Sequence, residues 1–355
     1  MTRNIGRIGF VFALLLLAIG CRSIELASPA DRAEIALLRG DWKTQIVERG
    51  KRPRVSVSKW GPEDRLDRPE AVTFTWQGDA DREYTLEIAR DPDFRIPAKN
   101  LAVKGNTARV VNLEVGRTYF WRVRDGETVS PVRSFTTGGD TPRYLEIPGG
   151  IPVNFRDAGG KKTVDGGRTR QGMVFRGSDM NLSFKIKPEG VRFMRDELKI
   201  RTDLDLRYPS QTSRFEASPL GDDVRWIRRP VNAYKSFTPE QNDLFRDTIK
   251  VFADPANYPI YVHCAAGVDR TGEIVFLLDM ILGVEEERAF LDYEASSLAY
   301  YPRPRTISYF ARWRDTIRKM SPEGTPLREQ FVNYLMKIGV TAEEIASIRS
   351  IMLER

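Results

Sequence analysis

The sequence predicts two folds in series, an all-β sandwich followed by an α/β unit with a central sheet flanked by helices. Three observations predict it. Apolar residues alternate with polar ones between about residues 55 and 138, and apolar strands alternate with helical stretches beyond residue 141. Within the second region, one apolar strand runs through a short loop of small residues directly into an apolar helix, at 258–282.

Composition bounds the rest. With 355 residues, 41% hydrophobic and 30% charged, the chain is long enough for two ordinary domains and too apolar for a disordered or collagen-like polymer. Lys and Arg number 56 against 49 acids, a net charge of +7. That excess is spread along the chain, with no basic run beyond Lys51-Arg52-Pro53-Arg54. A slightly basic, solvated surface is expected, and nucleic-acid binding is not. Two cysteines and one histidine exclude a disulfide scaffold, a Cys/His zinc finger and a His-triad metal centre. Chemistry that needs a thiol or an imidazole must use Cys21, Cys264 or His263, and the last two are adjacent.

Residues 1–20 read as an export signal. Arg3 and Arg7 precede an apolar stretch, Ile8 to Gly20, which is too short as a helix for the ~30 Å core of a bilayer. It ends in Ala18-Ile19-Gly20-Cys21, which resembles a bacterial lipobox, with Ala18 where that motif prefers Leu. The resemblance implies a lipid-bearing Cys21 at the mature N-terminus, and multiple acyl chains would hold the protein at a membrane surface. Arg22 follows instead of Asp, so nothing asks for inner-membrane retention in a cell with two membranes. The expected location is the cell envelope, lipid-anchored, in the periplasm at the outer membrane of such a cell. Cys264 is then the free thiol of the mature chain. Residues 21–54 are polar and read as a tether, with one short helical piece around Asp31 to Leu38.

The sandwich is expected over 55–138. Val72, Phe74 and Trp76 alternate with polar neighbours, as do Tyr84, Leu86 and Ile88, and then Tyr119, Trp121 and Val123. Gly78-Asp79, Asp91-Pro92-Asp93, Gly105-Asn106 and Asp125-Gly126 supply turns between them. Leu113 to Val123 and Ser130 to Thr137 resemble the last two strands of a fibronectin type III domain, and Trp76 sits where that family buries an early-strand tryptophan. The resemblance implies a spacer or support. No residue in this region suggests catalysis.

Gly138 to Pro142 marks the boundary, and the α/β unit is expected over 145–355. Strands are predicted at Ile200–Arg207 and Tyr258–Val262. Helices are predicted at Pro239–Phe252, Gly272–Leu282, Glu285–Ser297 and Pro326–Glu354. The chemistry falls at His263-Cys264-Ala-Ala-Gly267-Val-Asp269-Arg270-Thr271-Gly272. A loop between a buried strand and a helix N-terminus turns successive backbone N–H groups toward one point, a nest for an anion. Ala265, Ala266, Gly267, Val268, Asp269 and Arg270 are the phosphate-binding candidates. Ala265, Ala266 and Gly267 are small enough for close approach, and Arg270 offers a fork that bonds two phosphate oxygens. The same field lowers the pKa of Cys264 and makes it a thiolate nucleophile, with Thr271 donating to the sulfur. His263 is read as a structural histidine that shapes the loop.

These residues resemble the His-Cys-x-x-Gly-x-x-Arg-Thr-Gly signature of cysteine-dependent protein tyrosine and dual-specificity phosphatases. Asn154-Phe-Arg-Asp-Ala-Gly-Gly160, Arg170-Gln-Gly-Met-Val-Phe-Arg176 and Ile200-Arg-Thr-Asp-Leu-Asp-Leu-Arg207 are similar to the bacterial branch that includes secreted mycobacterial tyrosine and lipid phosphatases. The resemblance covers about 145–355. It implies the α/β tyrosine-phosphatase fold, a phosphoenzyme on Cys264, no metal and no organic cofactor. Two departures matter. Val268 stands where that branch usually has Lys, removing a cation from the pocket rim and weakening the case for highly phosphorylated inositols. The Trp-Pro-Asp tripeptide that carries the general acid in the larger family is absent; Trp60-Gly-Pro-Glu-Asp64 lies in the other domain. In the bacterial branch the aspartate inside the loop serves, which corresponds to Asp269. Asp222 and Asp223 stay open as alternatives, and Asp203 and Asp205 are read as structural.

The expected function is hydrolysis of phosphomonoesters, foremost phosphotyrosine in proteins. Phosphoinositides or other small phosphates handled by the same mechanism are the alternative. A silent phosphate-binding module is the competing class, and the joint presence of Cys264, Gly267, Asp269, Arg270 and Thr271 speaks against it. A rhodanese-like sulfur transferase would use a loop one residue shorter than Cys264–Arg270. A redox thiol would need a resolving cysteine.

Overall fold

The computed structural model describes residues 24–50, 66–139, 141–235, 238–299 and 315–354. The export signal, Cys21 and Trp60-Gly-Pro-Glu-Asp64 lie outside the described residues. The first unit contains the strands β1 (Leu26–Ser28), β2 (Ala33–Ile35), β3 (Val72–Trp76), β4 (Glu83–Ala89) and β5 (Pro97–Lys104). It continues with β6 (Thr107–Val110), β7 (Thr118–Asp125), β8 (Thr128–Val129) and β9 (Arg133–Thr137). They form two sheets, β1-β3-β6 and β2-β9-β7-β4-β5, with β8 pairing β7. The alternating residues are the ones that meet between the sheets. Phe74 of the first sheet stands edge-on to Trp121 of the second at 5.0 Å between ring centroids, and packs on Phe135 at 5.7 Å. All three are fully buried.

Residues 24–50 correct the tether expectation, because they belong to the fold. Leu26 pairs with Trp76 across β1 and β3, and Ala33 pairs with Phe135 across β2 and β9. The helical piece expected around Asp31 to Leu38 is β2 instead. Asp31 accepts from Ser134 N at 2.8 Å and Arg32 N donates to Ser134 O at 2.7 Å, so pairing with the edge of β9 outweighs local helical preference. Helix α1 (Trp42–Gly50) then packs Trp42 and Ile46, with Leu38, on Tyr144, Ala295 and Leu298 of the second unit. The burial of these few apolar side chains among many charges is what the polar composition concealed.

The second unit holds a sheet of order β10-β11-β12-β15-β13-β14. Its strands are β10 (Arg143–Tyr144), β11 (Arg156–Asp157), β12 (Val174–Gly177), β13 (Thr202–Asp205), β14 (Arg225–Arg228) and β15 (Ile260–His263). The last four run parallel, and β10 and β11 pair antiparallel at one end. The longer helices among the described residues are α2 (Asn242–Val251), α3 (Asp269–Leu282), α4 (Glu286–Ala295), α5 (Leu327–Lys337) and α6 (Ala342–Met352). Helix α3 is buried from Arg270 to Leu282, which is why its second half is apolar on nearly every face, and it sits in one core with β12, β13 and β15 and with the other helices. Phe155, Phe175 and Tyr261 fill the opposite face of the sheet, with Leu145, Met194 and Ile200. The single helical stretch expected at Pro326–Glu354 is two helices. Gly339 takes a φ of +101° between them, where α5 ends.

A polar seam joins the two units. Arg143 donates to Leu113 O at 3.1 Å, Asn112 O at 2.9 Å and Asp157 Oδ2 at 2.7 Å. The Gln171 amide pairs with both backbone groups of Val115 at 2.9 Å. Arg117 donates to Glu354, and Asp67 accepts from the N–H of Asn154 at 3.0 Å.

Candidate active site

Strand β15 lies at the centre of the parallel sheet, between β12 and β13, and ends at His263. The chain then turns through Cys264–Val268 and enters α3 at Asp269. Gly267 makes this turn possible. Its φ is +68°, and a Cβ there would lie 2.2 Å from Gly177 O, so no other residue fits without displacing backbone. Two loop carbonyls are held outward: Gly267 O accepts from Arg176 at 2.9 Å and Asn154 at 3.0 Å, and Ala265 O accepts from Asp179 N at 3.1 Å. Among the described residues, the N–H groups of Ala265, Ala266, Gly267 and Val268 donate to no protein acceptor. The result is a set of free donors at a helix N-terminus, which is an anion site.

Cys264 is 3% exposed. Burial pushes its thiol up, but the Arg270 guanidinium, the Thr271 hydroxyl and the Thr271 N–H outweigh it and hold the thiol below its ordinary value, with Asp269 opposing. The Thr271 hydroxyl is buried and makes no other hydrogen bond. Arg270 is fixed from behind: Nη1 donates to Leu206 O at 3.0 Å and to Gln211 Oε1 at 3.2 Å, and the guanidinium lies 4.6 Å from the centre of the Tyr208 ring. Asp269, the first residue of α3, accepts the phenol proton of Tyr234 at 2.5 Å.

The other aspartates raised by the sequence sit elsewhere. Asp203 takes the Ser218 hydroxyl at 2.6 Å, and Asp205 binds Arg207 at 2.6 Å; both are fully buried. Asp223 is exposed and paired with Arg195 at 2.9 Å, and Asp222 is also exposed. His263 faces these buried carboxylates, with Nε2 2.9 Å from Asp203 and 3.9 Å from Asp205. Burial disfavours its charge, yet Asp205 and Asp203 prevail and push its pKa up to about 9. Because the folded value exceeds the unfolded one, the stability from this ion pair is fully present below about pH 6.5 and is lost as pH rises through about 9. Denaturant titrations are therefore expected to show stability falling across that window, and His263→Gln to flatten the fall; an unchanged slope in the variant would refute this origin.

Sequence reasoning missed the support behind the loop. Asp292 of α4 lies between Arg156 Nε at 2.9 Å and Arg176 Nη1 at 2.5 Å, and Arg156 also holds the Asn154 amide at 2.5 Å. Burial opposes ionisation of Asp292, but Arg156, Lys161 and Arg176 hold its carboxyl far below the usual carboxylate range. Asp279, bonded to Lys161 at 2.6 Å, is pushed up to about 6 by burial, against the pull of Lys161 and with Asp292 adding to the rise. The available signal was Arg176 itself, an arginine within an apolar strand, which must find a buried partner.

A buried low-pKa thiol, free backbone donors and a fixed arginine on a parallel sheet define a cysteine-centred site for an oxyanion. The chain belongs to the tyrosine phosphatase family, which matches residues 150–354. It is similar to a Cupriavidus necator protein named provisionally as a tyrosine-protein phosphatase, 28% identical over 171 residues. That match covers 41% of this chain and 60% of the relative's length. Among solved structures it is similar to the catalytic core of the PP-IP phosphatase SIW14 from S. cerevisiae in complex with citrate. Identity there is 16%, the TM-score 0.26, and the coverage 45% of this chain and 78% of that one. A second Siw14 core structure gives 16%, 0.27, and coverage of 46% and 84%.

Proposed function

We propose that this protein hydrolyses phosphomonoesters through a cysteinyl-phosphate on Cys264, with phosphotyrosine in proteins as the favoured substrate. The observation that carries the reading is the loop itself: it follows a buried thiol whose pKa Arg270 helps to lower, with four N–H groups that donate to no protein acceptor among the described residues. The Cys264 thiolate attacks phosphorus, the P–S bond forms as the P–O bond breaks, and the leaving oxygen takes a proton from Asp269. Water then attacks the phosphoenzyme, giving its proton to Asp269, and sulfur departs as thiolate with the Thr271 hydroxyl donating to it. The donors of the loop and Arg270 meet the charge on the equatorial oxygens. An aryl ester is favoured because a phosphate projecting from a flat ring can reach a buried thiol; Cys264 is 3% and Arg270 9% exposed. Val268 supplies no rim cation for a polyphosphorylated ring. The deciding experiment is phosphate release from matched phosphotyrosine, phosphoserine and phosphoinositide substrates. Preference for phosphotyrosine supports the reading, preference for the lipid overturns the substrate assignment, and inactivity throughout would leave a phosphate-binding module.

The N-terminal part is proposed to be a fibronectin type III-like support carried on a lipid-bearing Cys21 in the cell envelope, in the periplasm at the outer membrane where the cell has two membranes. Its two facing sheets and the apolar leader support this. Membrane fractionation of the wild type and Cys21→Ser tests it: release of the variant into the soluble fraction is the supporting result.

A further inference from the structure

Tyr234 touches Asp269, and two further side chains hold Tyr234 in place. The segment after β14 brings Tyr234, whose phenol donates to Asp269 Oδ1 at 2.5 Å. Helix α4 brings Tyr293, whose hydroxyl lies 2.5 Å from that of Tyr234. Helix α3 brings Glu273, one turn beyond Asp269, whose carboxylate accepts the backbone N–H of Tyr234 at 2.6 Å. Tyr234 holds a φ of +62°, a conformation that a residue with a large side chain keeps only when its surroundings impose it. Gly272 makes room for the second tyrosine: a Cβ there would lie 2.6 Å from the Tyr293 ring. Since the single proton of Tyr234 goes to Asp269, Tyr293 is the donor in the phenol pair. Burial, and then the neighbouring Tyr293 and Asp269, push the Tyr234 phenol well above its ordinary value, so it stays a neutral donor at any pH at which the protein works.

We propose that Tyr234 is a positioning residue that acts on the reaction through Asp269. With Oδ1 committed to the phenol, the proton that Asp269 carries is confined to Oδ2, and the carboxyl cannot rotate away from the leaving oxygen. Tyr293 holds the phenol in turn. Helix α4 thereby serves the loop twice in succession, through Asp292 on Arg176, which holds Gly267 O, and through Tyr293 on the phenol that holds Asp269. Asp269 in turn opposes ionisation of the Cys264 thiol, and Glu273 of its own helix holds the Tyr234 backbone. Neither tyrosine was singled out by the sequence, because Tyr234 lies in a polar loop with no periodicity and touches Asp269 across 35 positions.

The inference rests on the reading of Asp269 as general acid, and the test separates the two. Initial rates are measured for wild type, Tyr234→Phe, Asp269→Asn and the double variant on aryl phosphates whose leaving groups differ in pKa. Phenylalanine keeps the ring and removes only the donor. The expected result is a loss of about tenfold in kcat for phenyl phosphate, shrinking toward none for a nitro-activated ester that needs no proton. In the Asp269→Asn background, Tyr234→Phe is expected to have no further effect. A uniform loss across all leaving groups, or an equal loss with and without Asp269, would overturn the positioning role while leaving the acid assignment intact. A leaving-group-independent loss in Asp269→Asn alone would overturn the acid assignment and the positioning role with it.

Discussion

Cys264→Ser is expected to reduce phosphate release by about a thousandfold or more, with little change in fold. The groups that lower the thiol, Arg270 and the hydroxyl and N–H of Thr271, act on a group already near ionisation at neutral pH. An alcohol starts far above that range, and the same field leaves it protonated and a poor nucleophile. The anion site is untouched by the exchange, since its donors are backbone N–H groups and Arg270. Phosphate binding should therefore persist, or tighten slightly as the negative sulfur is lost. Acid-quenched wild type should carry covalent phosphate and the variant none. A variant retaining a tenth of the activity would place the nucleophile elsewhere.

Gly267→Ala is expected to disable the loop as completely, for a different reason. The left-handed backbone disfavours any Cβ by about 1–2 kcal/mol on its own. Here the added carbon also meets Gly177 O at 2.2 Å, in a strand that cannot retreat. Moving the peptide pulls Gly267 O from Arg176 and Asn154, and an unpaired buried donor costs about 1–3 kcal/mol. Activity should fall at least about a hundredfold, with a melting temperature lower by several degrees. Gly166→Ala is the control. It shares a positive φ of +82° but has open space around its Cβ, so a small loss of stability and no loss of activity are expected. Equal effects of the two substitutions would show that backbone strain alone, and not the contact with Gly177, sets the result.

The site was legible where its parts are contiguous. From Tyr258 to Leu282, strand, loop and helix follow one another, so residue size, charge and order carry the geometry directly. Strands β3, β4 and β7 were legible for a similar reason, because each presents three alternating apolar positions. Strands β1 and β2 span three residues each, too few for a period, and only their partners in β3 and β9 make them strands. The loop supports were hidden by distance along the chain. Asp292 reaches Arg156 across 136 positions and Arg176 across 116, and nothing local in Leu-Asp-Tyr announces two buried arginines. Tyr234 was hidden in the same way.

The seam between the two units decides how much of the chain the chemistry requires. The family match begins at residue 150, yet the backbone N–H of Asn154 is held by Asp67, and the Asn154 side chain holds Gly267 O. A fragment cut at 150 would lose Arg143, the Asn112 and Val115 contacts and that carboxylate together, exposing β11 and leaving a buried donor without its acceptor. The smallest part of this chain that keeps the loop's support is therefore larger than the segment it shares with its relatives, and the two units are expected to melt together in a calorimetric scan.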